Sequence, residues 1–300
     1  MFSLPPKLND FAIIFLGLII EALPFILLGV VLSSLLSIFI TEEKIIRWIP
    51  KNRFLALFYA AFTGFLLPVC ECGNIPLARK FTMKGIPPYL AVTFLLAAPV
   101  LNPIVIFSTY AAFRGQPEII ILRMVFTLIT AMIVGFIFSF AKDKREIIHV
   151  QPQEVCHPGH DHGHHHSRFQ DFVATMQTEF VEMMSLMIIG GLIAATTQTL
   201  IPRQFITSLG TGPVISIVAM LVLAFVVSIC SNVDAFFALA YASTFTTGSI
   251  LAFLVFGPMI DIKSLFMMST TFKPKAIVLM TLLTLLIVFV LTLIMNLYVS

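Results

Sequence analysis

Long apolar runs separated by short polar segments form the pattern of this chain. A helix needs about 20 apolar residues to cross the hydrocarbon core of a bilayer. Five runs reach this length, and they lie at residues 11–40, 88–113, 118–141, 172–201 and 276–298. A sixth long run, residues 249–271, is interrupted by Pro258, Asp261 and Lys263. The pattern therefore predicts a chain that crosses a membrane several times.

Two further apolar runs are shorter and end in polar sequence. Residues 54–69 contain Pro68 near their end, and a mixed segment follows as far as Lys84. Residues 213–230 lead directly into a segment rich in hydroxyl, amide and carboxyl groups. Short or broken apolar segments at corresponding places in two halves are typical of transporter binding sites. We therefore expect residues 54–84 to form a re-entrant hairpin.

The distribution of basic residues predicts the orientation of the chain. Cytoplasmic loops of membrane proteins carry an excess of Lys and Arg. Turns near Arg114 and near Arg203 are poor in charge and are expected outside. Basic residues recur in four polar segments, which are expected inside: residues 41–53, 79–84, 142–168 and 263–275. In the arrangement that fits these assignments, the chain starts outside and its first run crosses inward.

The two halves of the chain share polar positions at a common spacing. Asp10 with Glu21 and Gly29 matches Asp171 with Glu182 and Gly190 at an offset of 161. The letters VCECGNIPLA match ICSNVDAFFA at an offset of 160, and APVLN matches FGPMID near 159. Similar composition could make apolar segments look alike, but shared Asp, Glu, Cys and Pro positions argue against that alternative. An internal repeat is therefore predicted.

These patterns predict an all-α polytopic membrane protein with about eight membrane segments. An odd number of crossings in each half makes the second copy inverted, and broken or re-entrant helices place a site where the halves meet. The predicted organisation is a first membrane repeat, a His-rich cytoplasmic loop and a second membrane repeat, at residues 1–141, 142–168 and 169–300.

Composition excludes several functional classes. Apolar residues make up 59% of the 300 residues and charged residues 11%, against roughly 45–50% and about 25% in soluble domains. A soluble enzyme, a disordered chain and a nucleic-acid-binding protein are therefore excluded, and the net charge of +3 is scattered between apolar runs. The sequence contains no Walker-type phosphate loop, no zinc-protease motif and no nucleophile elbow. We expect no enzyme and no bound cofactor.

The stretch PVCECGNIP, residues 68–76, combines thiols, a carboxylate and helix-breaking residues. Irregular backbone at membrane depth requires protein or a water-filled cavity around it. Thiolates suit soft or borderline ions such as Zn(II), Cu(I) or As(III). Cys70, Glu71 and Cys72 are therefore candidate substrate ligands, with Pro76 expected to break a helix and Gly73 to allow unusual backbone angles. The alternative is that the cysteines pack as small apolar residues.

The corresponding stretch of the second half is richer in oxygen. Cys230, Asn232 and Asp234 lie within it, and Asp261 lies in the interrupted run. Charged groups inside a membrane are costly and mark functional sites, so these four residues join the candidate site. Their repeat equivalents, Asn74 and Asn102, are candidates too, with helix capping beside proline as the alternative.

Two glutamates lie in the middle of the first long run of each half. Glu21 and Glu182 could each pair with a cation or carry a proton that drives transport. Glu179 lies three residues before Glu182 and shares its helix face. The alternative for both candidates is a structural hydrogen bond or salt bridge inside the bundle.

A short segment between the halves holds six of the seven histidines, in the letters CHPGHDHGHHH. His-rich tracts are metal-binding signals, and imidazole suits Zn, Cu, Ni and Co. Its glycines and proline favour a loop that collects ions over one rigid site, and a polar linker is the alternative. The candidate ligands are Cys156, His157, His160, His162, His164, His165 and His166.

The letters LPVCECGNIPLARKF, followed about thirty residues later by APVLNPIV, resemble the predicted permease family that includes the ArsP-type organoarsenical efflux permeases. The resemblance extends over nearly the whole chain, including ICSNVDAFFA. It implies a bacterial cytoplasmic-membrane permease of about eight spans whose thiols at Cys70 and Cys72 handle a thiophilic substrate. One branch of that family is associated with zinc-responsive loci and a companion membrane protein. The His-rich loop makes this chain more similar to that branch than to an organoarsenical one.

Our leading hypothesis is a secondary transporter that moves a metal ion, metal complex or metalloid, with efflux as the expected direction. Zinc or another transition-metal ion would be its substrate, and the lipid bilayer its surroundings. A companion membrane protein and a homo-oligomer are further expected partners. Two alternatives stay open: a membrane-embedded thiol redox enzyme, and a metal-sensing or scaffold subunit of a membrane complex.

Overall fold

The computed structural model describes residues 6–39, 50, 52–66, 70–140, 147–148, 168–200 and 212–298. These residues form twelve α-helices, and their only β pairing is an isolated bridge between Ile148 and Phe272. The prediction of an all-α protein is therefore confirmed. The His-rich segment, with Cys156 and the candidate histidines 157, 160, 162, 164, 165 and 166, lies outside the described residues, and so does Pro68.

Four long helices form the outer part of the bundle: α1 (Pro6–Phe39), α6 (Pro117–Phe138), α7 (Arg168–Leu200) and α12 (Pro274–Tyr298). Their outward faces carry large exposed apolar side chains, such as Ile20, Ile121 and Leu286. Five helical stretches of the described chain are long and apolar enough to cross a membrane: Lys7–Leu35, Pro117–Phe138, Met176–Leu200, Thr247–Met268 and Pro274–Tyr298. A multi-pass membrane protein results, as the apolar runs predicted.

Eight shorter helices lie between the long ones. Those of the first half are α2 (Arg53–Leu66), α3 (Glu71–Met83), α4 (Pro88–Ala97) and α5 (Pro103–Ala112). Those of the second half are α8 (Pro213–Val227), α9 (Asp234–Leu239), α10 (Thr247–Met259) and α11 (Ile262–Met268). Helices of this length have their ends inside the bundle, and those helix ends position the polar residues.

The run at residues 88–113 is not one continuous crossing, which corrects the sequence-based expectation. It divides into α4 and α5 because Pro103 has no N–H to donate and occupies the first helical position. Asn102 caps α5, since its Oδ1 accepts from the N–H of Ile104 at 3.0 Å. The interrupted run of the second half breaks in the same way, because Asp261 caps α11 in a capping box with Ser264.

Two expectations for the thiol stretch are wrong. Pro76 does not break α3, which runs from Glu71 to Met83 with the proline inside it. Gly73 has no positive φ. The backbone of Gly73 instead packs closely against α1, where a Cβ on Gly29 would lie 2.6 Å from the Cα of Gly73.

The packing joins the two halves through their short helices. α1 packs on α7 and α3, and α7 packs on α11. Across the halves, α3 contacts α11, α5 contacts α9, and α4 contacts α10. Within each half, α2–α4–α6 and α8–α10–α12 pack in corresponding pairs. An internal duplication predicts such pairs, and the duplication with its inversion stays a prediction.

Candidate functional site

The N-terminus of α3 brings the two thiols of the first half into the interior. Cys70 is the N-cap residue, and Glu71 and Cys72 begin the helix. All three side chains are buried, with exposed fractions of 1–3%. A carboxylate in the first helical turn interacts favourably with the helix dipole, so this position suits Glu71. The sequence-predicted thiol segment is thus at the core of the protein.

Cys230 approaches these residues from the link between α8 and α9. Its Sγ lies 4.0 Å from Glu71 Oε2, and the thiol of Cys70 interacts with those of both Cys72 and Cys230. The ligand atoms of Cys70, Glu71 and Cys230 all lie within 4.8 Å of one another. Residues 160 positions apart in the chain therefore form one cluster of soft and hard ligands.

Lys263, in the first turn of α11, supplies a buried cation to this cluster. Its Nζ lies 3.0 Å from Glu71 Oε1 and 3.6 Å from Asp261 Oδ2. It also donates to the carbonyl oxygen of Ser228 at 2.9 Å. Ser228 ends α8 with φ 49°, and it is the only non-glycine residue with positive φ in the described part of the chain. We call Cys70, Glu71, Cys72, Cys230, Asp261 and Lys263 the thiol junction.

The two candidate coupling glutamates have different environments. Glu21 of α1 interacts with Cys230 and lies in the electrostatic field of Lys263 and Glu71. Glu182 of α7 pairs instead with Arg79 of α3 at 2.7 Å. Arg79 lies eight residues beyond Glu71, about 12 Å along the helix. The structure thus brings Glu21 to the thiol junction and leaves Glu182 at the far end of α3.

A second buried ion pair joins α9 to α6. Asp234, in the first turn of α9, accepts from Arg123 of α6 at 2.6 Å. Arg123 also donates to Thr109 Oγ1 of α5 at 2.8 Å. Arg123 is fully buried and Asp234 is 2% exposed. We call these three residues the arginine junction, and its cation is different from the lysine that pairs with Glu71.

The remaining amide candidates have mixed roles. Asn102 is buried and caps α5, which is the alternative that the sequence left open. Asn74 is buried within α3, one turn from Cys70. Asn232 Oδ1 and Ser231 Oγ, beside Cys230, are buried and have no hydrogen-bond partner among the described residues. These two oxygens are therefore available to a bound ion.

The far end of α3 is fastened to α7 by two ion pairs. Lys80 pairs with Glu179, which also accepts from Ser33 Oγ of α1 at 3.1 Å. Arg79 pairs with Glu182, as described above. Lys80 is only 5% exposed. Arg79 and Lys80 therefore belong to a packed helix, and the cytoplasmic placement of residues 79–84 stays a prediction.

Sequence reasoning missed the buried cations of the thiol junction and the arginine junction. Lys263 was assigned to a cytoplasmic segment on its basic character, but it is 2% exposed inside the bundle. Arg123 lies within the apolar run at residues 118–141 and was not selected. The signal for Arg123 was present, because a charged residue within a long apolar run is costly and marks a functional or structural pair.

A cavity of about 480 Å³ lies between the N-terminal part of α1 and the C-terminal ends of α7 and α8. Asp10 and Ile14 line one side, and Val227 and Tyr241 line the other. Gln198 borders it and donates to the carbonyl oxygen of Val227 at 2.7 Å. Val227 directly precedes Ser228, so the cavity ends one residue from a contact of Lys263.

A family model and two relatives match this chain over nearly its whole length. The family model ArsP_1, described as a predicted permease, matches residues 7–297. The UPF0718 protein YcgR of Bacillus subtilis is 43% identical over 270 residues, 89% of this chain and 90% of that protein. A Streptococcus mutans protein named as a two-component membrane permease complex subunit is 37% identical over 276 residues, 91% of each chain.

A third relative matches a smaller part. The UPF0718 protein MJ0584 of Methanocaldococcus jannaschii is 29% identical over 128 residues, 41% of this chain and 34% of that protein. No solved structure matches the chain. The names of the family and of the relative from Streptococcus indicate a membrane permease and point to a transporter rather than an enzyme.

Proposed function

The chain belongs to the ArsP_1 family of predicted permeases, and from this premise we propose that it is a secondary transporter of a thiophilic metal ion, metal complex or metalloid. The observation that carries the proposal is the buried set of ligand atoms from Cys70, Glu71 and Cys230, all within 4.8 Å of one another. Thiolate sulfur with one carboxylate oxygen suits zinc and related soft or borderline ions.

The substrate would bind where the two halves of the chain meet. Cys70 and Glu71 come from the first half and Cys230 comes from the second. Cys72 interacts with Cys70 and supplies a further thiol. A movement of one half relative to the other would change the distance between these ligands, which is how rocking transporters alternate access.

The path by which the substrate enters and the group that carries a driving proton can also be proposed. The cavity beside Asp10 and Gln198 ends next to Ser228, and it offers a path for the substrate toward the thiol junction. Glu21 is the proposed proton carrier, because one of its carboxylate oxygens is buried without a hydrogen-bond partner in the described ranges and the side chain contacts Cys230. The Arg79 pair favours a structural role for Glu182.

We propose efflux as the direction and a companion membrane protein as a partner. The relative from Streptococcus is named as a subunit of a two-component membrane permease complex. The metal-collecting role of Cys156 and the histidines between residues 157 and 166 remains part of this proposal, since such a loop would deliver ions to a transporter.

A thiol redox function is the second candidate, because Cys70 interacts with two other thiols. In that case Cys70 and Cys230 would form a disulfide by giving two protons and two electrons to an external two-electron oxidant, and an external dithiol would reduce the disulfide again, without an ion crossing the membrane. A measurement of ion uptake into sealed vesicles distinguishes transport from redox cycling.

The test uses purified full-length protein in sealed vesicles that contain a fluorescent Cd²⁺ indicator. We expect an imposed Cd²⁺ gradient to drive uptake, and Cys70→Ser with Cys230→Ser to lower its rate by about tenfold or more, because two sulfur ligands are lost. Glu71→Gln should also lower it. Glu118→Gln, at an exposed acid in the first turn of α6, is the matched control for Glu71→Gln and should keep the rate. Unchanged uptake in the double variant would remove the proposed site, and redox cycling without flux would favour the enzyme.

A further inference from the structure

Lys263 holds a position that a substrate cation would need. Its ammonium group lies 3.0 Å from Glu71 Oε1, and Glu71 is one of the three clustered metal-ligand candidates. Lys263 also lies in the electrostatic fields of Cys72 and Cys230. The sulfur of Cys230 lies beside the other oxygen of Glu71, Oε2. A metal ion bound there would share one carboxylate with the ammonium group of Lys263, and like charges repel strongly in a medium of low dielectric constant.

The surrounding charges explain why a cation is kept there. Glu71 and Asp261 are 3% and 1% exposed, and Glu21 lies close enough to interact with Lys263. The other buried cations of the described chain have their own acids, because Arg123 of α6 pairs with Asp234 and Lys80 of α3 pairs with Glu179. Lys263 is therefore the cation that compensates the acids of the thiol junction, and burial of those acids without it would be costly.

We infer that Lys263 is a specificity-determining residue, a tethered cation that competes with incoming ions and makes the thiol junction selective for thiophilic divalent ions over alkali ions. This inference rests on the proposed transport function. It adds to that function the residue that excludes abundant monovalent cations from an acidic buried site.

The selectivity follows from what each ion gains by displacing the ammonium group. An alkali ion brings one positive charge, as Lys263 does, and it forms no strong bond to sulfur. A thiophilic divalent ion brings two charges and binds the thiolates of Cys70 and Cys230. Only the second exchange compensates the loss of the contact between Lys263 and Glu71.

The structure also offers the displaced ammonium group a position. Asp261 Oδ2 lies 3.6 Å from Lys263 Nζ, and the carbonyl oxygen of Ser228 accepts from it. Both acceptors belong to the second half, as Lys263 does. The ammonium group could therefore leave Glu71, keep two partners and remain buried, so the exchange needs a side-chain movement and no unfolding.

The test compares Lys263→Met with Lys80→Met in purified full-length protein. Lys80 is the matched control, since it is also a buried lysine paired with a buried glutamate, at the far end of α3. Cd²⁺ binding is measured by its sulfur charge-transfer absorbance in NaCl and in choline chloride of equal ionic strength. Wild type and Lys80→Met should bind Cd²⁺ equally in both salts. Lys263→Met should bind about tenfold more tightly in choline and lose that gain in sodium.

The outcomes separate the inference from the proposed function. If wild-type protein binds no Cd²⁺ in either salt, the proposed function fails, and the inference fails with it. If wild type binds Cd²⁺ and Lys263→Met shows the same affinity and the same indifference to sodium, the inference alone is overturned.

A second measurement needs no variant and covers the case in which Lys263→Met does not fold. Wild-type protein is treated with a membrane-permeant amine-acylating reagent, with and without Cd²⁺, and labelled lysines are quantified by peptide mass spectrometry. We expect Cd²⁺ to raise the labelling of Lys263 several-fold, because its ammonium group is released from Glu71, and to leave Lys80 unchanged. Equal labelling of Lys263 in both conditions would overturn the inference.

Discussion

In both the thiol junction and the arginine junction, the first turn of a short helix carries a buried acid and a neighbouring helix supplies a buried cation. Glu71 of α3 meets Lys263 of α11, and Asp234 of α9 meets Arg123 of α6. In the sequence alignment of the halves, α3 corresponds to α9. At the offset of 160, Asp234 aligns with Asn74, so in the predicted repeat the two acids lie about one helical turn apart.

The cations make the two junctions different. The guanidinium group of Arg123 is rigid and permanently charged, and it donates to both Asp234 and Thr109. The ammonium group of Lys263 is a compact charge on a flexible stem, shared between Glu71, Asp261 and a carbonyl oxygen. Sulfur ligands occur only beside the lysine in the described ranges. Under the proposed function, the arginine junction is a fixed pair that holds helices together, and the thiol junction is an exchangeable one where the substrate would bind.

The largest effect is expected from breaking the fixed junction. Arg123→Met should destabilise the protein by about 3–5 kcal/mol, because it leaves the buried carboxylate of Asp234 without its counter-charge. The midpoint of thermal unfolding in detergent, followed by circular dichroism, measures the loss. The double variant Arg123→Met with Asp234→Asn should recover much of it, since no unpaired charge remains. A single variant as stable as wild type would mean that the arginine junction is not a structural pair.

The long helices of the fold could be predicted from the sequence, because the length of an apolar run indicates a membrane-spanning helix. Apolar runs located the long helices to within a few residues, as for residues 118–141 against α6 and residues 276–298 against α12. The break inside residues 88–113 was not predicted, because an Asn-Pro cap within an apolar run changes hydropathy little. The capping geometry of Asn102 depends on local hydrogen bonds that an averaged apolar pattern does not reveal.

The acids and thiols of the site could be chosen from sequence, but their cations could not. Costly groups inside apolar runs identified Cys70, Glu71 and Cys230, which the structure brings together. The burial of Lys263 was not predicted, because a lysine near other lysines resembles a polar segment on the cytoplasmic side by the positive-inside rule. Which acid it meets depends on the contact between α3 and α11, almost two hundred residues apart in the chain. No local pattern encodes such a contact.

A smaller effect is expected from changing the backbone that supports the exchangeable junction. A Cβ on Gly190 of α7 would lie 2.9 Å from the Cα of Lys263, and a Cβ on Gly191 would be 3.8 Å from the ring of Phe15. Gly190→Ala should therefore shift α11 and cost about 1–3 kcal/mol. Gly191→Ala is the matched control and should change stability by less than about 0.5 kcal/mol. Thermal unfolding of the two variants measures both values.

The same pair of variants tests whether the thiol junction depends on the position of α11. Gly190→Ala should weaken Cd²⁺ binding, because moving the backbone of Lys263 also moves Asp261 relative to Glu71. Gly191→Ala should bind as wild type does. Equal Cd²⁺ affinity in both variants, with Gly190→Ala clearly less stable, would show that the junction tolerates displacement of α11.

The smallest effect is expected at the far end of α3, where the Arg79–Glu182 pair is partly exposed, with side-chain exposed fractions of 17% and 31%. Glu182→Gln should cost about 0–1 kcal/mol, because solvent screens an exposed pair and the neutral amide still accepts a hydrogen bond from Arg79. Cd²⁺ uptake driven by an imposed pH gradient distinguishes this structural role from coupling. We expect Glu182→Gln to keep the dependence of uptake on that gradient and Glu21→Gln to lose it. Loss of the dependence in Glu182→Gln would extend the coupling machinery beyond the thiol junction, along α3 to its contact with α7.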